Sequence, residues 1–112
     1  MTEKMATFII QKSARGQYYY TFRGNNQEPV LVGEEHPSKQ ACQGSIDSVK
    51  RNAPYDERYT RWQTGASYYF NLKAVNGGTL GTSEAYTSAA GRENGINVVK
   101  REAPTAPVVD RS

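Results

Sequence analysis

Two short segments carry the residues best suited to recognition chemistry. Tyr18-Tyr-Tyr-Thr-Phe-Arg23 and Tyr68-Tyr-Phe-Asn-Leu-Lys73 each alternate ring-bearing or aliphatic residues with a second set that ends in a cation. In an extended chain successive side chains point to opposite faces. Tyr68, Phe70 and Leu72 therefore share one face, while Tyr19, Thr21 and Arg23, and likewise Tyr69, Asn71 and Lys73, share the other. Aromatic rings stack on unpaired bases and cations meet phosphates. Tyr and Arg are also the side chains that dominate protein interfaces. Tyr19, Arg23, Tyr69 and Lys73 are thus the candidate binding face. The primary expectation is a non-enzymatic module that binds a protein partner, and the alternative is single-stranded nucleic acid bound by the same face.

Other reactive groups lack the company that chemistry requires. Cys42 falls on an apolar helical stripe, where a thiol acts as a small filler, and its repeat counterpart is Arg92. His36 has no nucleophile assigned to it by motif. Glu34 and Glu84 each precede a capping serine by four residues, near the positive end of a helix. Gly77-Gly-Thr-Leu-Gly-Thr-Ser83 lacks the lysine of a phosphate loop and sits in a hairpin. No residue is assigned to catalysis, to a cofactor or to a metal, and one Cys with one His does not build a typical structural zinc site.

These segments belong to an internal repeat. Shifted by 50 residues, Gln17–Pro54 aligns without a gap on Ser67–Pro104, and 11 of 38 positions are identical. Asn26/Asn76, Glu34/Glu84, Ser38/Ser88, Ile46/Ile96 and Pro54/Pro104 are among them. Such a unit is too small to cover its own apolar face, so the two copies should pack together as a pseudo-symmetric pair. Asn76-Gly77 marks a tight turn, Ser38 and Ser88 mark helix starts, and Cys42, Ile46, Val49 and Ala53 recur at helical spacing. Pro54 and Pro104 should exclude helical geometry at Ala53 and Ala103. Thr7–Lys12, Arg58–Gln63 and Val108–Asp110 are the flanking strands.

The expected architecture is α+β: two tandem β-β-β-α-β repeats in one antiparallel sheet, with both helices on one face and the other face open. The boundaries read as a flexible N-terminus over 1–5, a first repeat over 6–56 and a second over 57–112. With 112 residues, 37% hydrophobic and 22% charged, the chain is of globular composition. Its net charge of +3 and pI near 9.1 are spread along the sequence, with Lys50-Arg51 and Lys100-Arg101 at helix ends, where they suit the helix dipole. The lack of an apolar run of membrane length and the polar start Met1-Thr-Glu-Lys predict a cytoplasmic chain with no membrane partner, and the duplication, which completes the sheet within one chain, predicts a monomer.

The stretches Tyr-Tyr-Phe-Asn-Leu-Lys-Ala-Val-Asn-Gly (68–77), Thr-Ser-Glu-Ala-Tyr-Thr-Ser (82–88) and Asn-Gly-Ile-Asn-Val-Val-Lys (94–100) resemble the YegP-like family of small bacterial proteins. The resemblance runs from Phe8 to Pro104. It implies two β-β-β-α-β units in a single sheet with their last strands exchanged, and it brings no activity and no ligand residues. His36 and Asn26-Gln27 depart from the family pattern in the first copy.

Overall fold

The computed structural model describes residues 5–112, so the flexible terminus expected over 1–5 lies, apart from Met5, outside the described residues. Alternating side chains form β1 (Thr7–Lys12), β2 (Tyr18–Arg23) and β3 (Pro29–Gly33), followed by helix α1 (Lys39–Asn52). The pattern repeats as β4 (Tyr59–Thr64), β5 (Ser67–Lys73), β6 (Thr79–Ser83) and α2 (Ala89–Glu102), and the chain ends on β7 (Val108–Asp110). All seven strands make one sheet in the order β4-β5-β6-β3-β2-β1-β7.

The repeats join at the middle of this sheet, where Leu31 pairs with Ser83 and Val32 with Thr82. The strand after α1 pairs with β5 of the second repeat, and the strand after α2 lies beside β1 of the first. β7 is thus passed from the second repeat to the first, while β4 both follows α1 and opens the second repeat. One detail differs from the expected antiparallel sheet: β7 runs parallel to β1, so the sheet is mixed. Strand β1 already holds the place next to β2, and the returning chain takes the next place out.

Both helices cover the same face. Phe8, Tyr20, Phe22, Phe70 and Leu72 from the sheet share one apolar cluster with Ile46 and Val49 of α1 and Ile96 and Val99 of α2. Fully burying each large side chain stabilises the fold by about 1.5–3 kcal/mol, which makes this cluster the main support of the structure. Register shifts after Phe22 and after Leu72 accompany the packing of Val30 and Leu80 against the same core. Glycine is required where rings press on backbone. A Cβ at Gly33 would collide with the Tyr20 ring, and one at Gly95 with the Tyr86 hydroxyl.

The helices begin as the serines dictate: Ser38 Oγ accepts from the Ala41 N–H at 3.0 Å and Ser88 Oγ from the Gly91 N–H at 2.9 Å. Their ends correct an expectation. Ala53 and Ala103 precede prolines yet keep right-handed helical dihedrals. Each donates its N–H to a carbonyl four residues back, Val49 or Val99, and that bond outweighs the steric bias from the following proline ring.

Candidate binding face and its edges

On the sheet face away from the helices, one row crosses every strand: Val109, Ile9, Thr21, Val32, Thr82, Asn71 and Thr60. The row holds no charged side chain. Ile9 and Thr21 are only 5% and 8% exposed although no helix covers this side, because their strand neighbours pack around them.

The four residues singled out from sequence lie around this row but not together. Strands β2 and β5 run in opposite directions and are separated by β3 and β6, three strand spacings or roughly 14 Å. Tyr19 and Tyr69 consequently lie on opposite sides of the row. Along each strand the ring and the cation are four residues, or about 13 Å, apart. Arg23 is held by the neighbouring turn: its Nη1 donates to the Gln27 carbonyl at 2.9 Å, where Gln27 adopts φ 67°. The pattern that reads as a ring with its own cation is, in space, two separate rings and two separate cations.

One corner is different. Trp62 of β4 pairs with Tyr69 of β5, and their rings stack with centroids 5.4 Å apart and planes 14° from parallel. Trp62 is 36% exposed. The corresponding place beside Tyr19 holds Gln11, whose Oε1 accepts from the Thr21 hydroxyl at 3.2 Å. Trp62 is absent from the sequence candidates, yet alternation within Tyr59-Thr-Arg-Trp-Gln-Thr64 puts it opposite in sense to the inward Tyr59. Reading β4 with the same period applied to β2 and β5 finds it.

The helix side of β4 carries most of the electrostatics. Asp56 Oδ1 lies 2.8 Å from Arg61 Nη2 and 2.7 Å from Lys100 Nζ, while Glu93 Oε2 lies 3.0 Å from Arg61 Nε and 3.2 Å from Arg92 Nε. Hydrogen bonds from Lys100 and Arg61 hold the Asp56 carboxyl down to about 2, and the Arg61 hydrogen bond lowers Glu93. The same two carboxylates raise the Arg61 guanidinium. At the opposite edge Asp110 is also held to about 2, first by the Ser112 hydroxyl and N–H and then by Lys39, which lies 3.1 Å away.

A groove of about 620 Å³ opens between the β2–β3 turn and α2, lined by Asn25, Pro29, Val30, Tyr86, Asn94 and Val98 among others. His36 bridges Tyr18 through its main chain, and its buried Nε2 has no hydrogen-bond partner among the described residues. Cys42 is fully buried, and burial pushes its thiol up. Among the described residues no group of three or more His, Cys, Asp or Glu is placed to hold a metal, and no helix is long and apolar enough to cross a membrane.

Comparison with known proteins places this geometry in a lineage. The chain matches the domain of unknown function DUF1508 twice, over residues 13–59 and 64–110. It is 42% identical over 105 residues to the UPF0339 protein in the ptx operon 5′ region of Stutzerimonas stutzeri, covering 93% of this chain and 95% of that one. It is 35% identical to the UPF0339 protein YegP of Escherichia coli K12, covering 94% and 96%. The solution NMR structure of the Escherichia coli protein of unknown function yegP superposes with a TM-score of 0.89 at 33% identity, over 99% of this chain and 97% of that one.

Proposed function

The chain belongs to the DUF1508 family, a family of unknown function, and we propose that it works in the cytoplasm as a monomeric, non-enzymatic module whose open sheet face receives a protein partner. The observation that carries this reading is the exposed Trp62 stacked on Tyr69, a fixed aromatic platform beside an uncharged row of Thr60, Asn71 and Thr82. Large rings held rigid in advance lose little entropy on binding, which is why they act as anchors. A neutral surround favours a protein segment over a polyanion. Nucleic acid is the weaker reading because Arg23 is tied to its own turn and Lys73 stands about 13 Å along β5 from Tyr69.

The test is capture of partners from native lysate by the unaltered chain and by Trp62→Ala, Tyr69→Ser and Tyr19→Ser variants. Loss of the same proteins with the first two changes and their retention with the third is the expected pattern. Equal capture by all four chains removes the face as the site. Each of these partly buried positions should cost about 1–2 kcal/mol of stability, less than unfolds the chain, so unfolding curves separate lost binding from lost structure. Oligonucleotide binding that falls steeply with salt would replace the protein reading with the nucleic-acid one.

A further inference from the structure

The sheet contains a worked example of a strand added to an outer edge. Strand β7 lies on β1 with Val108 beside Phe8, Val109 beside Ile9 and Asp110 beside Ile10. The Phe8 N–H donates to the Pro107 carbonyl at 2.9 Å and the Arg111 N–H to the Ile10 carbonyl at 2.8 Å, so Phe8 and Ile10 direct main-chain groups outward. Strand β4 stands beside β5 as β1 stands beside β2: Tyr59 is opposite Leu72 and Phe8 opposite Phe22, which are aligned positions of the repeat. Tyr59, Arg61 and Gln63 therefore occupy the places of Phe8, Ile10 and Lys12.

The main chain of β4 is turned the same way. Phe70, opposite Arg61, gives its N–H to Ser83 Oγ, and Tyr68, opposite Gln63, gives its N–H to the Tyr86 carbonyl. Both donors face β6, so Arg61 and Gln63 present their own N–H and C=O at the outer edge. No described residue pairs with that edge. The Tyr59 N–H is taken by the Asp56 carbonyl, and its C=O remains.

We propose that the β4 edge accepts an extended partner segment, running parallel to β4 in the register of β7 on β1, with an acidic residue opposite Arg61. This rests on the reading of the neighbouring face as a protein-binding surface and names the form of the partner. Three features of this edge define the occupant. The position beside Tyr59 corresponds to the half-buried Val108 and takes an apolar side chain. The next residue emerges on the open face beside Thr60, at the Trp62–Tyr69 corner. The third faces the helix side, where three cations, Arg61, Arg92 and Lys100, are paired with two carboxylates, Asp56 and Glu93, leaving one excess positive charge. In β7 that third residue is Asp110, and it meets Lys39. Arg61 also selects against a second copy of the chain, since pairing β4 with β4 brings two arginine edges together.

The probe is a synthetic peptide of residues 106–112 (Ala-Pro-Val-Val-Asp-Arg-Ser) titrated into the 15N-labelled full chain. Saturable shifts of the Tyr59–Gln63 amides and the Trp62 indole are expected. A peptide carrying Asp110→Lys should bind about fivefold or more weakly, as should one N-methylated at Val109, which lacks the donor for the Tyr59 carbonyl. In an Arg61→Gln chain, verified as folded by its spectrum, the preference for Asp over Lys should vanish. Shifts confined to Phe8–Ile10 would mean exchange with the chain's own β7, and that outcome, absence of shifts at β4, or equal binding of the Lys peptide overturns the proposal. If the peptide fails while partner capture still depends on Trp62, only strand addition falls. If it binds β4 while capture ignores Trp62, the face reading falls and the edge stands.

Discussion

At one end of the sheet Ile10 lies 4% exposed with β7 outside it, while at the other the residue in the same register position on β4 is Arg61, with an ion network on the helix side and no described strand beyond. An uncovered strand edge invites pairing with other chains. The first repeat meets that hazard with the last strand of the second, β7, which lets β1 be apolar on both faces at Phe8, Ile9 and Ile10. The second repeat meets it with charge: Thr60 and Arg61 stand where Ile9 and Ile10 stand in β1. Two copies of one frame have thus diverged where one needs cover and the other stays open, and the exposed tryptophan lies at the open one.

The largest expected effect comes from removing the cover. A chain ending at Ala106 loses the β7 ladder bonds to Phe8 and Ile10 and uncovers Ile9. We expect a loss on the order of 2–3 kcal/mol in urea unfolding, from apolar exposure and unpaired main-chain groups. Light scattering should show concentration-dependent self-association. A truncated chain as stable and monodisperse as the full one breaks the comparison, because β1 would then need no cover. The converse change, Arg61→Ile, gives β4 the residue that β1 has. Its cost in stability should stay near 1 kcal/mol, since the ion pairs are partly exposed. Its association should rise, read by sedimentation as dimers absent from the unaltered chain.

Much of this architecture is legible in the amino-acid sequence. Helix spacing in Ile46, Val49 and Ala53, the capping serines and the alternation in Tyr68–Leu72 each act locally, and each forms its element as read. Strand alternation also sorts Tyr20 and Phe22 to the core side and Tyr19 to the other. What alternation cannot carry is distance between strands. Tyr19 and Tyr69 share a face, but only the order β5-β6-β3-β2 reveals that they stand far apart, and only the pairing of β4 with β5 brings Trp62 onto Tyr69. The parallel sense of β7 is of the same kind, set by which place beside β2 was already filled. Arg23 shows a third limit: a cation at a strand end reads as a ligand for phosphate until a turn carbonyl claims it.

The smallest effect probes how each edge holds its carboxylate. Asp56 and Asp110 are both depressed from an ordinary 3.8 to about 2, but by different partners. A carboxyl lowered on folding contributes stability that is complete above the unfolded value and is lost as pH falls through the folded one. Both contributions should therefore persist at pH 5 and disappear between about pH 4 and pH 2. Both groups are exposed, so the signal to follow is the carboxyl carbon shift in an NMR titration, not the unfolding midpoint. Lys100→Ala should raise the Asp56 midpoint and leave Asp110 unmoved. Lys39→Ala should raise Asp110 less, because Ser112 holds it first through its hydroxyl and N–H, at 2.6 and 2.9 Å. If Lys39→Ala moves Asp110 as far as Lys100→Ala moves Asp56, the covered edge relies on a helix cation as the open edge does. The distinction between a strand held by its own chain and an edge held by charge would then narrow to the ladder bonds alone.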